Sequence, residues 1–555
     1  MPSSAGDRTV AQVMLQMLSD HGVETVFGLP GVHNLAFWDS EVGPRIMGVR
    51  HEQTTGYAAD SFGRATGRLG VALTTTGPGA MNVLAAFGEA AVSHSSILVI
   101  ASDVSTALRR DVPRGILHEM RDQAAPFMPL ASRDADGVPM ARNCASADEA
   151  FSALAQALAH HRERGEVAAY IGVPTDVLSS TVTEISVPAP LRMHHESSAV
   201  ARAIAVDALN QSERPLVWLG GGAAALCDRD EGEALLRAFI EHINAPVVTS
   251  FAARGVLAGH PLLIGAPIHE PEVHGIVAQA DCLIVLGSDF DGMNTRNWRM
   301  PVPDRVITVN HALEPISTNL PDAIHVTDDL AVIGQITDAA LPKHAWIDVT
   351  GVAATMRRRL HADVRGRDGM ALVEAVEEAW PADGALVVDM CVAGYWLAGY
   401  AAQQRPRRLA YPVGWGTLGF ALPAAIGTAS AGTPTLAVCG DGGAMFAIGE
   451  LATYVQELLP ITLVINDDGG YGMLRFDQQV FGHPERGVDL VTPQWLALAE
   501  SFGINAVEVD GFGDEFEAAL RWGHARNLQG HPVVILTRGT LHPPRTTSPR
   551  WNEQM

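Results

Sequence analysis

The chain has 555 residues, which is enough for three or four domains of ordinary size. Its 47% hydrophobic content allows large buried cores, and the low charged fraction of 18% argues against extensive disorder. The net charge of −24 disfavours nucleic acids and anionic membranes as partners, since their phosphates would repel the protein.

The cysteines and the apolar segments narrow the class of protein further. The cysteines are scattered without a CxxC pair, so we expect neither a disulfide framework nor a zinc site. The first residues, MPSSAGDRTVAQ, lack the basic start and long apolar run of a signal peptide. No run of about 18 apolar residues marks a membrane span. We therefore expect a soluble cytoplasmic protein with no membrane partner.

The first part of the chain alternates predicted helices and strands. A helix is predicted by apolar residues at the spacing i, i+3, i+4, i+7 and i+8, namely Val10, Val13, Met14, Met17 and Leu18. Strands are predicted at Thr25–Gly28, Gly70–Thr75, Ser96–Ala101 and Val167–Val173, with a further helix at Met81–Ala91. This alternation predicts a doubly wound α/β domain over residues 1–186.

A second α/β unit is predicted over residues 187–345. It opens with a linker rich in proline and polar residues, 187–198, followed by a helix at Ala199–Leu209. Strands are predicted at Leu216–Leu219, Pro246–Thr249, Cys282–Leu286 and Arg305–Val309.

The third unit, predicted over residues 366–545, has strands at Ala385–Asp389, Thr435–Cys439 and Ile461–Ile465. An amphipathic segment of helical length, Ile448–Leu459, separates the last two strands. The fold class that we predict is α/β, with three doubly wound domains built on parallel sheets.

Two glycine-rich motifs follow the last two of these strands. They are GDG at 440–442 and NDDGGYG at 466–472. Parallel strands end at the same edge of a sheet, so Asp441 and Asp468 can both reach one cation there. Carboxylates suit Mg²⁺ or Ca²⁺, and Gly442 and Gly443 leave room for a diphosphate to approach the backbone. The plainer alternative is a glycine-rich turn in which Asp441 caps a helix.

Further motifs accompany this pair. FGLPG (27–31), RHEQTTGYAADSFGRATG (50–67) and TTGPGAMN (75–82) lie in the first unit. Together the motifs resemble the thiamine diphosphate (ThDP) enzymes of the acetolactate synthase, benzoylformate decarboxylase and pyruvate decarboxylase family. GLPGVHN, LHEMRDQ and YPVGWGTLGFALPAAIG look closest to the acetolactate-synthase-like 2-oxo acid decarboxylases. The resemblance implies a pyrimidine-binding domain, a central domain and a domain for the diphosphate and Mg²⁺.

The resemblance also implies roles for individual residues. Glu52 would hydrogen-bond N1′ of the aminopyrimidine and so promote loss of the thiazolium C2 proton; its plainer alternative is a surface charge at a helix start. The carbonyl of Gly416 would accept from the 4′-amino group. Leu418 would be the apolar wedge that forces the two rings together, although a leucine is more often ordinary core.

The implied metal ligands are Asp441, Asp468 and the backbone carbonyl of Gly470. Asp468 departs from the family, which more often has Asn at this position. The cofactor would also be lined by Val392, Ala393, Gly442, Gly443, Tyr471, Gly472 and Met473. ThDP and Mg²⁺ are therefore the expected cofactors.

The substrate pocket is implied at Val32, His33, Leu73, Leu474 and Asp477. His118 stands near a position that carries Gln in acetolactate synthases and His in pyruvate decarboxylases. As a catalytic residue it could protonate an intermediate or hold a carboxylate. The alternative is a hydrogen-bonded loop histidine. Acetolactate synthases place a tryptophan at Asp477, and this chain does not.

The central domain departs from the acetolactate synthases that it otherwise resembles. Residues 287–291 partly match the flavin-domain turn of those enzymes, but Gly292 and Met293 replace the basic residue expected next. His311 follows a strand end that lacks the usual Asp. We therefore expect no functional FAD.

The resulting hypothesis is ThDP- and Mg-dependent, non-oxidative decarboxylation of a 2-oxo acid to CO₂ and an aldehyde. The alternative is an acetolactate synthase-like or acyloin-forming carboligase that uses the same enamine intermediate. Two weaker alternatives are a non-enzymatic, cofactor-binding scaffold and a nucleotide-binding module based on Gly220–Gly222, which does not complete a GxGxxG pattern. Because the family pairs its domains across chains, we expect a homo-oligomer, either a dimer with shared active sites or a tetramer.

Overall fold

The computed structural model describes residues 8–182 and 198–546, and these form three parallel sheets. A two-stranded antiparallel pair, Arg8–Thr9 with Thr181–Val182, closes the first domain. Within the described residues no helix is long and apolar enough to cross a membrane.

The N-terminal sheet has six strands, in the spatial order Arg45–Gly48, Thr25–Gly28, Gly70–Thr74, Ile97–Asp103, Ala168–Pro174, Ala141–Asn143. Its central strands are buried on both faces, as near-continuous apolar runs predict. The helices around it are Val10–Asp20, Leu35–Trp38, Glu52–Thr66, Pro78–Asn82, Leu84–Val92, Ala147–Arg164 and Thr175–Leu178. A capping box between Thr9 and Gln12 starts the first of these helices.

The central sheet has five parallel strands, in the order Val247–Thr249, Pro215–Leu219, Cys282–Leu286, Val306–Asn310, Ile324–Thr327. Its α-helices are Ala199–Gln211, Gly221–Cys227, Gly232–Ile243, Pro271–Val277, Gly292–Thr295, Ile316–Asn319 and Ile333–Ala339. Short 3₁₀ helices lie at Phe251–Ala253 and Leu330–Val332, and the helix Val352–Ala362 leads to the last domain.

The C-terminal sheet has six parallel strands, in the order Leu409–Ala410, Ala385–Val388, Thr435–Gly440, Ile461–Asn466, Val533–Arg538, Asn505–Asp510. Its helices are Arg367–Ala379, Val392–Tyr400, Ala421–Ser430, Asp441–Ala444, Leu451–Gln456, Gly472–Val480, Trp495–Ser501 and Asp514–Asn527, with a 3₁₀ turn at Ile448–Glu450. Counted along each domain, the N- and C-terminal sheets share the strand order 2-1-3-4-6-5. The three parallel-sheet domains that the sequence predicts are confirmed.

The N- and C-terminal domains of one chain pack through two helices, Glu52–Thr66 and Ala421–Ser430. A Cβ added at Gly427 would overlap the backbone of Ala58, so glycine permits this close approach. The hydroxyls of Ser61 and Thr428 form a buried hydrogen bond across the same contact. One apolar cluster therefore runs through both domains.

Several local predictions differ from the structure. The helix predicted at Met81–Ala91 is divided into Pro78–Asn82 and Leu84–Val92, with Val83 between them. Nothing in the structure explains this interruption. The segment predicted as one helix at Ile448–Leu459 contains only a 3₁₀ turn and a six-residue helix. The predicted linker lies outside the described residues except for Ser198, which caps the helix after it.

Candidate active site

The two glycine-rich motifs lie side by side at the carboxyl edge of the C-terminal sheet. Gly440 pairs with Asn466 in parallel register, so the turns that carry Asp441 and Asp468 start at the same level. The strand order reverses between Ala385–Val388 and Thr435–Gly440. Ligands of open α/β sheets bind in the crevice at such a reversal.

Asp441 is an uncompensated buried carboxylate. It is 0% exposed, and neither of its oxygens has a hydrogen-bond partner of ordinary geometry, although the nearby backbone N–H groups of Gly442 and Gly470 oppose the rise of its pKa. Burial, followed by the charge of Asp468, raises the pKa of Asp441 to about 7. Burial also raises the pKa of Asp468, against the nearby guanidinium of Arg475. Both carboxylates are thus held in positions that disfavour their charged forms, even with Arg475 beside Asp468, which fits a site for a divalent cation.

The protein supplies only part of a cation's coordination shell here. Within residues 8–182 and 198–546, no group of three or more His, Cys, Asp or Glu side chains could hold a metal by itself. Mg²⁺ is commonly bound by one or two carboxylates together with phosphate oxygens. Asp441, Asp468 and the carbonyl of Gly470 fit that arrangement, in which a diphosphate would complete the shell.

The glycines of the two motifs also allow the site to pack. A Cβ at Gly442 would lie 2.5 Å from the ring of Tyr471, and one at Gly472 would overlap the carboxylate of Asp468. A Cβ at Gly443 would lie 2.7 Å from the carboxylate of Asp389. The turns therefore lie in mutual contact.

The remaining residues implied in cofactor binding lie next to these turns. Val392 and Ala393 are buried in the first turn of the helix Val392–Tyr400, which follows the first strand of the sheet. Helix N-termini favour anions. Met473, in the first turn of Gly472–Val480, is half-buried against the core of this domain.

The loop that carries Gly416 and Leu418 lies over the GDG turn. Gly416 has φ of +74°, a conformation that favours glycine. The Cδ1 atom of Leu418 lies 3.5 Å from the Cβ position of Gly443. Beyond Leu418, the N–H of Gly419 donates to the carboxylate of Asp389 at 3.0 Å. Leu418 therefore lies at the site and is only partly buried.

Three buried acids of this region were missed by the sequence analysis. Asp389 directly follows the strand Ala385–Val388 and contacts both Gly443, after the GDG turn, and the Gly416 loop. Burial raises the pKa of Asp389 to about 6, against several backbone N–H donors. Glu89 and Glu450 accept hydrogen bonds from backbone segments of the opposite domain. The sequence signal for these residues was an acidic residue inside an apolar stretch. Asp and Glu are almost never buried without partners, so such a position indicates a buried and partnered carboxylate.

On the N-terminal domain, Glu52 is the first residue of the helix Glu52–Thr66 and is half-buried. Its Oε2 accepts a hydrogen bond from Nδ2 of Asn82 at 3.0 Å, which joins two of the motifs noted in the sequence. Its Oε1 lies 3.4 Å from the Cβ position of Gly79. Glu52 thus starts a helix, as the plainer alternative requires, and is also held in place by a side chain.

His33 and His118 face each other near this helix. Their ring centroids lie 5.3 Å apart, and Nδ1 of each ring is buried without a hydrogen-bond partner. Burial, followed by the charge of His118, lowers the pKa of His33, while Asp103 opposes that shift. The alternative for His118 was a loop histidine held by a hydrogen bond. Nδ1 of His118 has no hydrogen-bond partner, so the ring is not held through that nitrogen.

The other residues implied in the pocket differ in their exposure to solvent. Val32 is 82% exposed and Leu474 is 51% exposed, whereas Asp477 is buried within its helix. Leu73 is 1% exposed and packs in the core of the N-terminal domain. The structure therefore does not support a pocket role for Leu73, because its side chain points into that core.

The two halves of the site belong to different domains. In the described part of the chain, no hydrogen bond joins Glu52 or His118 to Asp441 or Asp468. Glu52 and Asp441 thus stand in elements of different domains of one chain.

A cavity of about 520 Å³ lies elsewhere, between the three domains. The flavin-like turn 287–291 and Gly221–Gly222 line it, together with His94 and Glu166 from the N-terminal domain. The expected absence of FAD remains a prediction.

Comparison with known proteins gives one consistent result. Residues 8–125, 203–339 and 391–536 match the N-terminal TPP binding, central and C-terminal TPP binding domains of the thiamine pyrophosphate enzymes. Thiamine pyrophosphate is another name for ThDP.

Similar proteins cover almost the whole chain. A probable 2-ketoarginine decarboxylase, AruI, of Pseudomonas aeruginosa is 31% identical over 94% of this chain and 92% of its own length. Acetolactate synthases of Mycobacterium avium and Bacillus subtilis are 29% and 27% identical, each over 95% of this chain, covering 87% and 92% of the relatives. The chain therefore belongs to the thiamine pyrophosphate enzyme family.

Proposed function

We propose that this protein catalyses the ThDP- and Mg²⁺-dependent, non-oxidative decarboxylation of a 2-oxo acid to CO₂ and an aldehyde. The observation that supports cofactor binding best is the buried, unpartnered Asp441 beside Asp468 at the switch point of the C-terminal sheet. Decarboxylation is supported by the similarity to the relative named as a probable 2-ketoarginine decarboxylase.

Each of the implied site residues has a separate role in the proposed reaction. ThDP, when bound, supplies the electron sink for cleavage of the C–C bond. Asp441, Asp468 and the carbonyl of Gly470 hold the cation that anchors the diphosphate. Glu52 holds a hydrogen bond to the pyrimidine ring and thereby controls its protonation. His118 carries a proton to or from the substrate, because its buried Nδ1 is not engaged in a hydrogen bond.

The choice between decarboxylation and carboligation depends on the residues at the pocket. Acetolactate synthases resemble the chain over the same length, and this favours carboligation as the second candidate. Asp477, which replaces the tryptophan of those enzymes, favours decarboxylation because a contact for a second 2-oxo acid is lost. A single 2-oxo acid should then give mainly an aldehyde.

The proposed assembly is a homodimer with shared sites, alone or paired into a tetramer. Trp415, Met445 and Phe446 are half-exposed beside the Gly416 loop and the GDG turn, and Val32 is exposed on the opposite half. Exposed apolar side chains around an incomplete site are typical of an interface. In such a dimer, Glu52 of one chain faces Asp441 of the other.

Hybrid dimers test the shared site. A Glu52→Gln chain and an Asp441→Asn chain, each inactive alone, form one intact site when they pair across subunits. Mixing and reassembly should therefore restore activity. If the site lies within one chain, the mixture stays inactive.

The reaction itself is tested by a screen of 2-oxo acids with ThDP and Mg²⁺, with the guanidino acid 2-ketoarginine as the first substrate. CO₂ and the second product are measured together, and the Glu52→Gln variant is the matched control. Aldehyde in equal amount to CO₂ supports the proposal. Acetolactate or another ketol as the main product would favour the carboligase, and no CO₂ from any acid would contradict both.

A further inference from the structure

Glu89 is a buried carboxylate of the N-terminal domain that binds a loop of the C-terminal domain. It lies in the helix Leu84–Val92 and is 0% exposed. Its carboxylate accepts hydrogen bonds from the N–H of Gly414 at 3.2 Å, the N–H of Trp415 at 2.9 Å and the hydroxyl of Thr417 at 3.1 Å.

The charge of Glu89 is held by Arg64, whose side chain is only 14% exposed. Nη2 of Arg64 donates to Glu89 at 3.1 Å, while the same guanidinium binds Asp60 through two hydrogen bonds of 2.8 and 2.9 Å. Nη1 of Arg64 also donates to the carbonyl of Tyr411, just before the loop. Arg64 and the backbone donor of Trp415 keep the pKa of Glu89 below its usual value despite burial.

The helix of Glu89 also holds the loop by shape. A Cβ added at Gly88 would overlap the indole ring of Trp415. Because Gly88 has no side chain, the indole ring of Trp415 can pack against this helix. Next to Gly88 in the chain, the carboxylate of Glu89 accepts a hydrogen bond from the backbone N–H of Trp415. Hydrogen bonding holds Gly414, Trp415 and Thr417, and packing holds Trp415, so both act on the residues that flank Gly416.

We propose that Glu89 is a positioning residue for the cofactor, which sets the carbonyl of Gly416 and the side chain of Leu418. The inference rests on the proposed ThDP site, in which these two groups bend the cofactor. Donors on both sides of Gly416 bind Glu89, so a change at Glu89 moves that carbonyl. A displacement of about 1 Å at a positioning group can cost about 10²-fold in rate.

A corresponding contact joins a carboxylate of the C-terminal domain to a loop of the N-terminal domain. Glu450, buried in the C-terminal domain, accepts from the N–H groups of Arg50 at 2.9 Å and His51 at 3.1 Å, directly before Glu52. Each domain thus contributes one buried carboxylate that holds the other domain's cofactor-binding segment. In a dimer with shared sites, Glu89 serves the site formed by its own C-terminal domain, whereas Glu52 serves the other site.

The experiment measures hydrogen–deuterium exchange at C2 of bound ThDP, by quenched-flow NMR, in the full-length Mg²⁺-loaded protein. Glu89→Gln should slow this exchange about 10–100-fold while ThDP affinity stays within about threefold, because the diphosphate ligands are unchanged. Thr417→Val, which removes a single contact of Glu89, should slow it about 3–10-fold and keeps the test valid if Glu89→Gln does not fold.

Asp60→Asn is the matched control, because Asp60 shares Arg64 with Glu89 but does not contact the loop. Its C2 exchange should equal that of the wild type. Without cofactor, amide exchange of the peptide 411–420 should rise in Glu89→Gln and not in Asp60→Asn. Wild-type C2 exchange in Thr417→Val and Glu89→Gln, even with faster amide exchange, would overturn the positioning role. Absence of ThDP binding by the wild type would instead refute the proposed function.

Discussion

Replacement of Asp441 by asparagine should have opposite effects on the protein without and with its cofactors. The side chain keeps its size but loses a charge that has no hydrogen-bond partner and is shielded from water. Without cofactors we therefore expect Asp441→Asn to be more stable than the wild type. With ThDP and Mg²⁺ the order should reverse, because the neutral amide of the variant is a weaker ligand for the cation than the carboxylate of Asp441.

The size of the first effect follows from the pKa of Asp441. A rise from 3.8 to about 7 is about three pKa units, or about 4 kcal/mol at 1.36 kcal/mol per unit. Because the folded pKa is raised, this penalty is absent below pH 3.8, grows as the pH rises towards 7 and is constant above it. At pH 8 we expect a gain of roughly 2–4 kcal/mol for the variant, since the asparagine amide carries a desolvation cost of its own in the same buried position.

The size of the second effect follows from mass action. Ligands at about 1,000 times their dissociation constant stabilise the wild type by about 4.1 kcal/mol. This exceeds the roughly 2–4 kcal/mol advantage of the variant without cofactors, and the variant should gain much less from the same ligands. Thermal unfolding at pH 8, with and without ThDP and Mg²⁺, measures both effects. Asp468→Asn is the matched control: it restores the family's usual ligand and should retain cofactor binding. Equal cofactor stabilisation of wild type and Asp441→Asn would refute the assignment of Asp441 as a ligand.

Three further predictions concern other residues. Glu52→Gln should leave ThDP affinity intact but slow C2 proton exchange by about 10²–10⁴-fold, as measured by NMR; exchange at the wild-type rate would make Glu52 a structural charge. His118→Ala should slow aldehyde release more than CO₂ release in stopped-flow assays with one 2-oxo acid, and equal slowing would exclude it as the proton donor. His94 bridges Glu166 and Asp289 between the N-terminal and central domains, and Glu166 in turn binds His311. The charge of Glu166, together with a hydrogen bond to Asp289 and against burial, raises the pKa of His94. The stabilisation of the folded protein by protonated His94 should therefore be complete below about pH 6.5. It should disappear as the pH rises through the raised pKa of His94. His94→Gln should be less stable than wild type at pH 6 and should approach it at high pH in thermal unfolding; a constant difference would refute this.

The sequence predicted the strand framework of the site well because its signal is local. Thr25–Gly28 and Cys282–Leu286 have the predicted bounds, since a short apolar run between turn residues marks a buried parallel strand. The GDG and NDDGGYG motifs follow such runs, and so their common position at one sheet edge could be inferred before any coordinates. The parallel sheets and the adjacency of Asp441 and Asp468 needed no further information.

Contacts between distant segments could not be inferred in this way. Glu89 and Gly414 are separated by 325 positions, and nothing near either residue in the chain indicates the other. Leu73 is in the core of the N-terminal domain, whereas the family resemblance implied a position at the pocket.

The sequence by itself thus determined the fold class, the family resemblance and the residues that follow each strand, because these depend on local apolar patterns and short motifs. Only the tertiary structure decided which carboxylates are buried, what they bind and which domain supports which half of the site. The physical reason is that a buried charge requires partners, and for Glu89 and Glu450 the packing of separate domains supplies those partners.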